Sequence, residues 1–207
     1  MDKVEKDLST EEKIKEAARQ IFQQKGFAGT RTRDIAEAAG INLALLNYYY
    51  RSKEKLFSII MEESLRELFQ QVQQIVRNES TSLSEKIDIF VNLYSDILLE
   101  NPNLPLFILG EIQANPKLFQ QKIGISLSFL HNAAILKQTE QQLKQAGLAN
   151  INPFHFLFNA VSMIIFPFAA KPLLKAVTRM EEDNFRQFVN ERRLLVAMWI
   201  KNMLQLQ

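Results

Sequence analysis

Apolar residues recur every three or four positions along almost the whole chain, and nowhere do they alternate as they would in a half-buried strand. Ile14, Ala17, Ala18, Ile21 and Phe22 keep the i, i+3, i+4, i+7, i+8 spacing of one helix face, with Ser9 and Glu12 as a capping box before it and Gly26 as its stop. Ile35, Ala36 and Ala39 predict a second, short helix with Thr32 as its cap. Gly40 stands where the chain must reverse. A third helix starts from about Asn42, with Leu46 and Tyr50 inward.

Longer helices follow. One from about Lys53 carries Leu65, Leu68, Phe69, Val72, Ile75 and Val76 on one stripe, and residues 78 to 82 break it. Ser82 and Glu85 form a second capping box before a helix with Ile87, Phe90, Val91, Tyr94 and Leu98. That helix stops at Asn101-Pro102; Asn-Pro recurs at 115–116 and 152–153, and each of these two pairs predicts an Asn cap with Pro at the first helical position. The pattern then predicts one helix from Pro116 to Ala146, an apolar helix from Pro153 to Phe166, and a last helix from Asn184 to Leu206. The fold class is all-α: a three-helix N-terminal domain at residues 8–56, with a helix-turn-helix at about 31–50, then a larger helical domain at 57–207.

Charge sharpens this division. Residues 13–57 hold nine basic and four acidic side chains, whereas positions 58–207 are balanced at 14 of each. Positive charge gathered on a short helical head is what phosphate neutralisation needs. On the outward side of the third helix, Asn42 and Asn47 suit adenine edges, Leu43 and Ala44 suit thymine methyls, and Tyr48 and Tyr49 offer hydroxyls to phosphates. Thr32 and Lys53 are candidate phosphate contacts. The expected partner is double-stranded DNA.

Other classes lose support. The chain has no Cys and two His, with no Gly-rich phosphate loop, no Gly-x-Ser-x-Gly elbow and no metal-ligand spacing, so an enzyme, a metal site or a cofactor is not expected. Positions 145 to 170 carry no charge and reach membrane-spanning length, yet Asn150, Asn152, His155, Asn159 and Ser162 interrupt them and Pro153 and Pro167 bound the helical part. No membrane association is expected. The charged start MDKVEKDLSTEEK lacks the apolar core of a secretory signal, so a cytoplasmic location is.

The head also carries a pattern of fixed spacings: Ile14-x-x-Ala17-Ala18-x-x-Ile21-Phe22-x-x-Lys25-Gly26-Phe27-x-x-Thr30, then Arg33-Asp34-Ile35-Ala36-x-x-Ala39-Gly40-Ile41, then Tyr48-x-Tyr50-x-Ser52-Lys53-Glu54-x-Leu56-Phe57. It resembles the N-terminal domain of the TetR/AcrR family of bacterial transcriptional regulators. The resemblance implies that Arg33 contacts DNA. It also implies a small-molecule pocket in the larger domain and a homodimer joined through the last two major helices. Asn47, where Tyr is frequent, and the apolar Leu43-Ala44-Leu45 depart from the family pattern, so the operator sequence is not legible.

For the pocket the apolar segments supply Phe107, Phe129, His131 and Phe158. For the dimer they supply Phe154, Phe158, Val161, Ile165, Leu195 and Trp199. With no charge between residues 145 and 170, a small uncharged hydrophobic effector is expected. The implied function is a ligand-responsive repressor bound to a palindromic operator as a homodimer. The alternatives are an activator, an effector-independent DNA binder and, from another class, a helical hydrophobic-ligand carrier with no DNA role.

Overall fold

The computed structural model describes residues 2–123 and 133–206, and among them there are eleven helices and no strand. Three helices build the head: α1 (Asp2–Gly29), α2 (Thr32–Ala38) and α3 (Leu43–Tyr49). Nothing in DKVEKDL stops a helix, and α1 runs back to Asp2, so Ser9 lies inside it rather than capping it. Gly26 turns the chain with φ 69°, a left-handed backbone that glycine adopts without a Cβ clash. Ile14, Ala18 and Phe22 of α1, Ile35 and Ala36 of α2, and Leu46 and Tyr50 around α3 close into one buried core.

One expected cap is replaced. Arg31, not Thr32, holds the N-cap position of α2, and Asp34 accepts its backbone N–H at 3.1 Å. The neighbouring threonine closes the preceding turn instead: buried Thr30 donates its hydroxyl to the Gly26 carbonyl at 2.7 Å.

From the head the chain enters α4 (Lys53–Arg77), whose N-cap Ser52 accepts the Lys55 amide at 3.1 Å. The boundary expected between residues 56 and 57 therefore falls inside one continuous helix. The first turns of α4 pack on the head: Glu63 receives Lys15 at 2.8 Å and Arg19 at 2.7 Å, and the Phe57 ring meets Phe22 edge-on.

Helix α5 (Leu83–Glu100) opens on the expected capping box, with the Ser82 amide donating to Glu85 at 2.9 Å and the Glu85 amide donating to the Ser82 hydroxyl at 3.2 Å. It is central to the larger domain, packing against α4, α8 (Ala134–Gln145), α9 (Phe154–Ala169) and α11 (Glu182–Met203). Ion pairs from Arg193 to Asp96 at 2.8 Å and from Lys201 to Asp88 at 2.6 Å tie α11 to it. Asn101 ends α5 as expected, and its side-chain oxygen accepts the Ser64 hydroxyl of α4 at 3.2 Å. Asn115 caps α7, accepting the Leu118 amide at 3.0 Å, whereas Pro153 takes the N-cap position of α9 and Asn152, one residue earlier, accepts the Phe154 amide at 3.0 Å.

The helix expected from Pro116 to Ala146 is divided. Helix α6 (Leu104–Ala114) is followed by α7 (Pro116–Ile123), and α8 begins afresh after Ala133, whose extended backbone (φ −69°, ψ 144°) starts a new helix. Pro167 does not end α9, which continues to Ala169. A proline there cannot donate to the carbonyl four residues back, and Arg192 of α11 fills the gap by donating Nε to the Met163 oxygen at 3.2 Å. Among the described residues no single helix is long and apolar enough to cross a membrane; α9 and α10 (Lys171–Thr178) pass that test only as a pair bent by 68°.

Candidate nucleic-acid interface

The turn into α3 is built by three residues. Gly40 takes φ 66°, and the Ile41 amide donates back to Ala36 at 3.0 Å, closing the end of α2. Asn42 then caps α3, its Oδ1 accepting the Leu45 amide at 2.8 Å. That bond engages one lone pair of Oδ1 and leaves the second lone pair and the NH2 group of Asn42 uncommitted to the cap.

Leu46 and Tyr50 bury the inner side of the helix. The Tyr50 hydroxyl donates to Glu11 of α1 at 3.2 Å, and burial, reinforced by that carboxylate, holds the phenol above its ordinary range. Anchored so, α3 presents Leu43, Ala44, Asn47 and Tyr48 to solvent, with Tyr48 80 % exposed. Tyr49 is half-buried with its ring edge-on to Tyr48 at 5.4 Å, so it braces the contact face more than it extends it. Arg31, Arg33, Arg51 and Lys55 are exposed around this face, and Thr32 is half-buried beside it.

Lys53 does something the sequence did not disclose. Its ammonium donates to the carbonyls of Phe27 at 2.8 Å and Thr30 at 3.0 Å and lies 4.3 Å from the Phe27 ring centroid. Two of its three protons thus staple the end of α1 to the start of α4, so its main work is structural and at most one donor is left for a phosphate. Much of the positive charge of the head is likewise paired internally: Lys15 and Arg19 with Glu63, and Lys25 with Asp34 at 3.1 Å. The Arg31 amide, then Lys25, hold the Asp34 carboxyl below its usual range.

Of the four expected effector residues, two lie among the described residues. Phe107 is half-buried on α6 with its ring edge-on to Phe57, at the junction with the head. Phe158 is 65 % exposed on α9, since two residues after buried Phe156 the helix has turned to its other side. Phe129 and His131 lie outside the described residues.

The expected dimer residues divide between half-buried Phe154, Val161 and Ile165 and exposed Phe158, Leu195 and Trp199. Phe166 on α9 and Leu194 and Met198 on α11 join the exposed set, and sequence spacing alone missed them.

A capped recognition helix on a three-helix head, carrying a basic rim and leading into a larger helical domain, defines a helix-turn-helix DNA-binding protein. Residues 14–59 match the bacterial regulatory proteins of the tetR family. Over 202 residues the chain is 26 % identical to the protein named "Probable HTH-type transcriptional regulator YttP" of Bacillus subtilis strain 168, covering 94 % of each chain. It is 29 % identical over 146 residues to the HTH-type transcriptional regulator RutR of Escherichia coli O157:H7, covering 70 % of this chain and 67 % of that one. A TetR/AcrR-family regulator from Thermobifida fusca shares the fold with a TM-score of 0.58 at 15 % identity, over 90 % of this chain and 96 % of the other. The chain belongs to the TetR/AcrR family of transcriptional regulators.

Proposed function

We propose that this regulator is a ligand-responsive repressor that occupies a palindromic operator as a homodimer and is released by a small hydrophobic effector. The observation carrying the DNA reading is the outward face of α3, where Leu43, Ala44, Asn47 and Tyr48 are exposed while Leu46 and Tyr50 are locked inward. Asn47, whose side chain is not engaged in a cap, is the proposed adenine reader. Leu43 and Ala44 supply apolar contacts for thymine methyls. Tyr48, Tyr49, Thr32 and Arg33 act on the phosphate backbone, joined by the NH2 of Asn42 and the one remaining proton of Lys53.

The homodimer is supported by the exposed apolar groups of α9 and α11, with Phe154, Phe158, Val161, Ile165, Leu195 and Trp199 at or beside the contact. Two-fold symmetry in the protein matches two-fold symmetry in a palindromic site. Release follows if the effector binds a dimer state whose heads no longer fit successive major grooves. A coupling of about 1–3 kcal/mol between the two sites would change occupancy several-fold to a hundredfold.

The test is duplex binding by fluorescence anisotropy at increasing salt. A phosphate-contacting head loses affinity log-linearly as salt rises. A carrier without a DNA role shows no duplex binding at any salt.

A further inference from the structure

Lys86 is 0 % exposed, yet its ammonium has one hydrogen-bond partner, the backbone carbonyl of Thr81 at 2.6 Å. It lies in the first turns of α5, at the end of the larger domain where α4 passes into α5 and α8 packs against both. Gln138 of α8 donates Nε2 to that same carbonyl at 2.9 Å, while its Oε1 is buried with no partner. Among the described residues no carboxylate bonds the ammonium. Glu85 is committed to its cap with Ser82, and together with Glu79 it attracts Lys86 only at longer range. Burial accordingly pushes the Lys86 pKa down.

Buried charges in proteins are ordinarily paired and their protons satisfied, because leaving them unpaired costs more than most single interactions return. Here, among the described residues, two ammonium protons lack an acceptor. Two donors from different helices converge instead on one neutral oxygen, an arrangement that an anionic oxygen satisfies better than a carbonyl does.

We infer that Lys86 and Gln138 seat the acidic group of the effector, which is therefore an amphipathic acid with an apolar body rather than an uncharged molecule. The acid's oxygen takes the position of the Thr81 carbonyl between Lys86 Nζ and Gln138 Nε2, freeing the turn at residues 78–82. Leu83 and Ile87 on α5, and Ile135 on α8, are buried core residues within three positions of Lys86 or Gln138 in the sequence. A carboxylate and a phosphate monoester share this chemistry. The inference rests on the effector-responsive reading given above and makes it more specific.

The experiment titrates full-length protein with octanoate, octyl phosphate and octan-1-ol, following calorimetry and release of a bound duplex. Octanoate or octyl phosphate should bind at least tenfold more tightly than octanol, and the acid preferred identifies the head group. Lys86→Met should bring the acid down to the affinity of octanol. Gln138→Glu, which supplies the missing carboxylate from within, should raise the melting temperature and abolish acid binding even if Lys86→Met folds poorly. Acid binding no tighter than that of octanol, or unchanged in Gln138→Glu, overturns the seat. If octanol alone releases the duplex, the seat is wrong and the effector-responsive reading stands; if none of the three binds or moves the duplex, both fail.

Discussion

The ammonium of Lys53 donates to the Phe27 carbonyl at 2.8 Å while lying 4.3 Å from the centre of that residue's own ring. A single side chain thus joins the end of α1 to the start of α4, with Thr30 as its second acceptor. The reading helix lies between those two points in sequence, so Lys53 sets its geometry whether or not it touches DNA.

Lys53→Ala leaves two carbonyls short of a donor and removes a cation–ring contact. The expected cost is about 1–3 kcal/mol of stability. Tyr48→Ala, at a site 80 % exposed, should change stability by no more than about 0.5 kcal/mol. Thermal melts with parallel duplex titrations separate the two: Lys53→Ala lowers both melting temperature and affinity, Tyr48→Ala affinity alone.

Asn42→Ala removes a helix cap and should destabilise the protein by about 1 kcal/mol. Asn42→Asp keeps an acceptor for the Leu45 amide but sets a negative charge beside phosphate. It should melt within about 0.5 kcal/mol of the wild type and bind duplex more weakly. Equal duplex affinity in the Asp variant would move Asn42 out of the DNA interface.

The buried Tyr50 hydroxyl, donating to Glu11, makes stability fall at alkaline pH. Its folded-state pKa is raised, so the folded protein holds the phenolic proton more tightly than the unfolded chain does. This contribution is complete below the ordinary phenol pKa of about 10 and is lost as pH rises beyond it. Denaturant melts between pH 8 and 11 should show that decline, and Tyr50→Phe should flatten it.

The apolar groups of α9 and α11 are exposed enough to be altered without opening the core. Phe158→Glu combined with Leu194→Glu, at sites 65 % and 72 % exposed, should leave helicity intact. In the proposed dimer the two charges would be buried and unpaired, so sedimentation should show a monomer and affinity for a two-fold symmetric duplex should collapse. A double variant that still sediments as a dimer places the interface elsewhere.

What was legible in the sequence was local. The Ser82–Glu85 capping box needs only two residues three apart, and it forms as read. The core of the head follows from helical spacing, which places Ile14, Ala18, Phe22, Ile35 and Leu46 inward. Long-range partners left no such trace: Lys53 finds its acceptors 26 and 23 residues upstream, and Tyr50 finds Glu11 39 residues away. Identical dipeptides serve opposite ends: Asn101-Pro102 stops a helix as read, with a side-chain bond to Ser64 that the sequence did not disclose, whereas Asn115-Pro116 starts one. In α9 periodicity fails for a different reason. A helix apolar nearly all round has no face to read, so Phe158 could not be told from Phe156 until their sides were known.

Selection of bound duplexes from a randomised pool at low ionic strength bears most directly on the claim that α3 reads DNA twice per dimer. The account predicts enrichment of one sequence with two-fold symmetry, lost in Tyr48→Ala. A pool left unenriched by the folded wild-type protein would contradict it.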